Sequence, residues 1–153
     1  MRCPAPRSMR GFTLAEVLIV LTILGVLAAI AAPNMINMVR TQRIKTASFD
    51  VFSSLNMARS EAIKRNRQVI VTPTGGNWAK GWQVTDANGV IKDQAGWDDL
   101  TLTGPDEVRF TSSGRLNGPT ANFSLVGLDV PTNKNRCITL DPSGRSVSKE
   151  GAC

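Results

Sequence analysis

The sequence predicts an α+β chain: one long N-terminal α-helix, apolar in its first half and amphipathic in its second, packed on a C-terminal antiparallel β-sheet. Three observations carry this. The twenty-one residues from Phe12 to Ala32 contain a single charge, Glu16. Ile44, Ala47, Val51, Leu55, Ala58 and Ala62 recur at steps of three and four, the period of one helix face. After Arg67 the pattern turns to short alternating or β-branched runs separated by turn residues. At 153 residues the chain holds one small domain besides the apolar run, with a core of ordinary size.

The apolar run comes first. At about 1.5 Å per residue, Phe12 to Ala32 reaches roughly the 30 Å of a bilayer core. Arg2, Arg7 and Arg10 precede it, which places the N-terminus in the cytoplasm and exports whatever follows Pro33. A secretory signal cut after Ala29-Ile30-Ala31 fits the small residues, but it leaves a carboxylate inside the apolar core at a cost of about 2.5 kcal/mol or more. It also leaves unexplained why helical periodicity resumes after Pro33. A plain single-pass anchor accounts for the hydrophobicity but not for the order Gly-Phe-Thr-Leu-Ala-Glu. A third reading places cleavage ahead of the apolar run, between Gly11 and Phe12.

The stretch "GFTLAEVLIVLTILGVLAAIAAPN" resembles the N-terminus of type IV pilins and type II secretion pseudopilins. The resemblance implies that a basic leader, residues 1–11, is removed by a prepilin peptidase after Gly11, and that the new N-terminal Phe12 is N-methylated. It implies that residues 12–33 form the transmembrane and filament-core helix, that Pro33 kinks it, and that Glu16 serves assembly. Cleavage creates an ammonium at Phe12, one helical turn from Glu16, and a buried carboxylate is tolerable when paired. In that family the glutamate of an incoming subunit is proposed to pair with the N-terminal amine of its neighbour.

Residues 34–66 read as the amphipathic half of the helix. Pro33 removes a backbone donor, and Gly25 weakens the same region. Phe52 and Ile63 widen the apolar stripe, while Arg40, Arg43, Lys45, Arg59, Lys64 and Arg65 read as a solvated opposite face. A helix from Phe12 to about Arg65 is on the order of 80 Å long. "LNMARSEAIKRNRQVIV" resembles the helix end and first strand of the GspH/FimT subfamily, and "WAKGW" and "VRFTSSGRLNG" further along resemble it too.

Residues 67–153 read as a β-rich globular head. "RQVIVTP", "GWQVTD", "GVIKD", "DLTLT", "EVRFTSS", "NFSLVGL", "RCITLD" and "GRSVS" are the expected strands, with Asn88-Gly89 as a hairpin turn between the second and third. Trp82 with Val84, and Val108 with Phe110, are expected on one face, against the helix stripe. Of three cysteines, Cys3 falls in the leader, so the mature chain keeps Cys137 and Cys153 with one available pairing. Their disulfide fits an oxidising compartment.

Charge and composition bound the function. The net charge of +6 is carried mainly by the leader and by the seven basic residues from Arg40 to Arg67. From Gln68 to Cys153 eight basic residues face nine acidic ones, so the high pI says little about a nucleic-acid surface. The chain has no histidine, no metal-ligand spacing, no nucleophile elbow and no phosphate loop. Asp98-Asp99 and Asp106-Glu107 are adjacent, so on a strand they point to opposite faces. No cofactor is expected, and the chain reads as a substrate of the peptidase rather than an enzyme.

Within the subfamily the resemblance is to FimU/FimT-type minor pilins. It implies a priming and tip complex with other minor pilins and the major pilin, an inner-membrane assembly platform, and an inner-membrane location with the head in the periplasm before assembly into a pilus. The C-terminal cysteine pair, common among minor pilins, favours this over a GspH-like pseudopilin of a type II secretion system. FimT-like members also bind DNA in natural transformation through a Gly-Arg-x-Arg motif. Here Gly144-Arg145-Ser146-Val147 keeps the first arginine and lacks the second, with Arg136 and Lys149 as neighbouring candidates.

Overall fold

The computed structural model describes residues 11–153, the side chains of residues 31–34 excepted. Residues 1–10, which hold Cys3 and most of the expected leader, lie outside the described residues. One α-helix, α1, spans Leu14–Lys64 and is followed by eight strands. These are β1 (Val69–Pro73), β2 (Gly81–Asp86), β3 (Gly89–Ala95), β4 (Leu100–Thr103), β5 (Val108–Phe110), β6 (Ala121–Gly127), β7 (Arg136–Leu140) and β8 (Ser146–Glu150). Each of the eight runs marked in the sequence holds one strand. The chain divides into two compact units, one through Ile36 and one over Asn37–Cys153.

In the first unit the helix is apolar on every side. The large side chains from Val17 to Ile30 are between 45% and 66% exposed, with no buried face. A helix of this kind needs lipid or other helices around it. By length and composition no single uninterrupted helix among the described residues is long and apolar enough to cross a membrane, but Leu14–Ile30 and Met35–Lys64 are so when taken together. Pro33 falls at the residues whose side chains are not described, and the expected kink lies there.

In the second unit the stripe of Ile44, Ala47, Val51, Leu55, Ala58 and Ala62 is fully buried. Alanine at three of the six positions lets the sheets approach the helix backbone, and the bulk on the other side comes from Trp82, Phe110 and Phe123. Phe52 packs on this core, whereas Ile63 is half exposed and covers Gly114 from outside. The helix stops in a Schellman motif. The Asn66 N–H donates to the Ile63 carbonyl and the Arg67 N–H to that of Ala62, both at 3.1 Å, with Asn66 at φ +51°. Asparagine tolerates this left-handed conformation, so the chain leaves the helix and enters β1 three residues later.

Two antiparallel sheets replace the single one expected. The first has the order β3-β2-β1-β5 and the second β4-β6-β7-β8. β4 joins the second sheet by pairing with β6, through Leu100↔Gly127 to Thr103↔Ser124, instead of continuing the β1–β3 meander. Trp82, Val84, Val108 and Phe110 are buried on the first sheet, and Phe123, Leu125, Ile138 and Leu140 on the second, in one core with the helix stripe. The Trp78 ring meets Phe123 edge-on at 4.8 Å, and its indole N–H donates to the Pro105 carbonyl at 2.7 Å. The β2–β3 turn is centred on Ala87-Asn88 rather than Asn88-Gly89. Asp86 pairs with Gly89, and the Asp86 carboxylate accepts the Asn88 N–H at 2.8 Å.

Arginines read as a solvated helix face instead clasp the β-rich part. Arg40 pairs with Asp129 at 3.3 Å, Arg43 with Asp99, and Arg65 with Asp86 at 3.1 Å. The Asn88 N–H, with Arg65 beside it, holds the Asp86 carboxyl below the usual carboxylate range. Arg59 donates to the Gly114 carbonyl at 3.0 Å. That carbonyl belongs to one of two matching turns. Ser-Gly-Arg recurs at 113–115 and 143–145, and in each turn a backbone N–H reaches the arginine carbonyl, Thr111 to Arg115 at 2.9 Å and Asp141 to Arg145 at 3.0 Å. The turns stack so closely that a Cβ on Gly144 would lie 2.1 Å from the Gly114 oxygen.

Cys137 on β7 and Cys153 form a disulfide, with Cα atoms 5.0 Å apart. It ties the chain end to the second sheet across a separation of 16 residues. By the chain-entropy estimate a loop of this length contributes about 3 kcal/mol. Cys153→Ser should therefore lower unfolding stability by about that amount in denaturant titrations. Reductant should bring the parent to the same value and leave the variant unchanged.

Candidate functional site

The candidate site is the start of α1. Gly11 and Phe12 precede the helix, both exposed, with Phe12 at 82%. Thr13 caps the helix: its Oγ1 accepts the Glu16 N–H at 3.2 Å. The sequence reading missed Thr13, although Thr-x-x-Glu ahead of an apolar run is the capping-box spacing. Glu16 sits in the first turn, where a carboxylate is favoured by the helix dipole. Phe12, Val17, Val20 and Leu21 surround it with apolar surface. Among the described residues no cation pairs with its carboxylate. Carboxylate, N-terminal cap and all-round apolar surface thus share one end of one helix. Nothing in that set is a nucleophile with a base, and no cluster of metal-binding side chains occurs among the described residues.

The structure does not converge the three DNA candidates. Arg136 pairs with Glu150 at 2.8 Å and is largely covered. Arg136↔Glu150 and Cys137↔Lys149 are successive positions of the β7–β8 ladder, so Arg136 and Lys149 point to opposite faces. Arg145 is exposed in the 141–145 turn, where its N–H donates to the Asp141 carboxylate at 3.2 Å. The Ser143 hydroxyl, and then backbone N–H groups of this turn, hold the Asp141 carboxyl below its ordinary value. Gly144 and Arg145 therefore have a structural task of their own, the stacked pair of turns.

Residues 48–144, more than half of the chain, match the family described as type II transport protein GspH, and residues 6–32 match the prokaryotic N-terminal methylation motif. The chain belongs to the GspH family, a pilin and pseudopilin of the GspH/FimT type. No curated protein matches it by sequence. Among solved structures it is similar to the type IV minor pilin FimU of Pseudomonas aeruginosa, at 22% identity over 71% of this chain and 89% of that one, with a TM-score of 0.62. A second crystal form of that protein gives 23% identity, 69% and 91% coverage and a TM-score of 0.59. The minor pseudopilin EpsH of the type 2 secretion system of Vibrio cholerae matches at 15% identity over 69% of this chain and 95% of that one, with a TM-score of 0.55. These likenesses establish the pilin fold. As a subunit of a type IV pilus or a type II secretion pseudopilus the chain is a structural protein and not an enzyme, and such subunits assemble with other pilins. The methylation motif marks it as inner-membrane-anchored and pilus-associated.

Proposed function

We propose that the chain is a minor pilin of a type IV pilus, drawn through its N-terminal helix into the priming and tip complex that initiates pilus assembly. The observation that carries this is the first turn of α1: one carboxylate, Glu16, a single turn from Phe12 on a helix that is apolar all round. Prepilin peptidase removes residues 1–11 at the cytoplasmic face, and Phe12 becomes a methylated, still cationic N-terminus. Residues 12–33 wait in the inner membrane, residues 34–66 carry the helix onward, and residues 67–153 stand in the periplasm. The assembly platform then extracts the subunit, and Glu16 meets the Phe12 ammonium of a neighbouring minor or major pilin. In a low-dielectric filament core that pair fixes register, since either charge left alone costs several kcal/mol.

The disulfide that closes the β7 end favours the pilus over the secretion pseudopilus, because such C-terminal pairs are common among minor pilins. Deletion of the gene should abolish surface pili and twitching while type II substrates still reach the medium. Intact piliation with a secretion defect would reassign the chain to the pseudopilus. DNA capture in transformation draws no support from the placement of Arg136, Arg145 and Lys149.

A further inference from the structure

The uncharged part of α1 does not end with the expected span. After Glu16 the next charge is Arg40, and Met35, Ile36, Met38 and Val39 are all more than half exposed. Phe12 to Val39 is 28 residues, about 42 Å of helix against roughly 30 Å of hydrocarbon. Arg40, seven residues past Pro33, can rise no more than about 10 Å above the hydrocarbon, comparable to the depth of a headgroup layer.

Three contacts fix what the β-rich unit carries at that level. Arg40 pairs with Asp129 at 3.3 Å, Arg43 pairs with Asp99, and a Cβ on Gly127 would stand 2.5 Å from the Ile44 Cδ1. The connection from β6 to β7 therefore lies beside the first helical turns of this unit. Val130 in that connection packs on the core, whereas Leu128 is 60% exposed. A singly exposed leucine is ordinary, but this one shares its end of the unit with exposed Met38 and Val39 and with a surplus of positive charge. Asp129 and Asp99 are answered by Arg40 and Arg43. Among the described residues Lys45 and Lys134 are exposed without an ion pair, against the unpaired carboxylate of Asp98.

We propose that this end of the β-rich unit rests on the phospholipid surface of the membrane that anchors the chain. Leu128 enters the boundary between headgroups and acyl chains, and Lys45 and Lys134 meet lipid phosphates. Apolar side chains that dip a few ångströms into that boundary, flanked by lysines, are the chemistry of interfacial membrane contact. The continuity of the chain names the occupant. A segment that follows a membrane span by seven to eleven residues is held at the lipid surface before any partner subunit arrives, and the 127–130 connection is held there by Arg40 and Ile44.

This inference rests on residues 12–33 spanning the membrane, and the test separates the two claims. The full-length protein, with Cys3→Ser and its disulfide intact, receives one environment-sensitive fluorophore through Leu128→Cys, Val90→Cys or Ile30→Cys. Each is reconstituted in nanodiscs of phosphatidylethanolamine and phosphatidylglycerol, with and without brominated acyl chains. Val90 is as exposed as Leu128, at 59%, but lies by the Asp86–Arg65 pair near the other end of the unit. Brominated lipid should quench the labels at 30 and 128 at least about twofold and leave the label at 90 unchanged. Quenching at 30 without quenching at 128, or equal quenching at 128 and 90, would overturn the surface contact and leave the span intact. No quenching at 30 would overturn both.

Discussion

Glu16→Ala is expected to leave cleavage and membrane insertion intact and to abolish entry into filaments. The substitution removes the one charge from an otherwise uncharged segment, and with it a carboxylate that is costly to hold in the membrane. Insertion should therefore improve, and the mature chain should accumulate in the inner membrane. In the filament the same change leaves a neighbour's Phe12 ammonium buried without its partner, a loss of about 3–5 kcal/mol. At about 1.4 kcal/mol per factor of ten, incorporation should fall by at least a hundredfold. Immunoblots of sheared pili against the membrane fraction read this ratio directly. Glu16→Gln, similar in shape but neutral, should fail nearly as badly, and a Gln variant that assembles normally would show that charge is not what the residue contributes.

The second large effect concerns folding. Gly144→Ala should destabilise the β-rich part by about 3 kcal/mol, because two costs coincide. Gly144 lies at φ +80°, where an L side chain pays about 1–2 kcal/mol. Its new Cβ would also stand 2.1 Å from the Gly114 carbonyl oxygen, a backbone atom already held by Arg59. Gly114→Ala is the control. Its φ of +74° carries the same conformational cost, but its Cβ would meet the Ile63 Cδ1 at 2.6 Å, the far end of a half-exposed side chain that can swing away. Denaturant titration should therefore rank Gly144→Ala well below Gly114→Ala. Equal losses would mean that the stacking of the two turns contributes little.

Much of the fold was legible in the sequence because its signals are periodic. The Ile44-to-Ala62 stripe is buried residue for residue, and each of the eight short runs contains a strand. What escaped depends on pairing between distant segments. Nothing in "DLTLT" says that β4 leaves its chain neighbour β3 to pair with β6, so one sheet was expected where two exist. The arginines are a similar case. Helical spacing places Arg40, Arg43 and Arg65 off the core stripe, but only the fold brings Asp129, Asp99 and Asp86 within their reach. Two misses were local and avoidable. Thr13 and Glu16 stand at capping spacing, and Asn66 is the residue type that a left-handed helix stop calls for. At the candidate site the proposal for Gly11, Phe12 and Glu16 rests on their order along the chain, and the fold adds the Thr13 cap and the apolar surface around Glu16. Arg136, Arg145 and Lys149 do not form a cluster: strand alternation puts Arg136 and Lys149 on opposite faces, and Arg145 lies beyond the Leu140↔Ser146 end of the same ladder, away from Arg136.

The central claim is that Glu16 acquires its partner when the chain is cut at Gly11 and carried into a filament. Mass spectrometry of the chain recovered from sheared, purified pili tests it most directly. The expected N-terminal peptide begins at Phe12 and carries one added methyl group on its amine. A chain that begins near Ala32, or one that retains residues 1–11 within the pili, would contradict it.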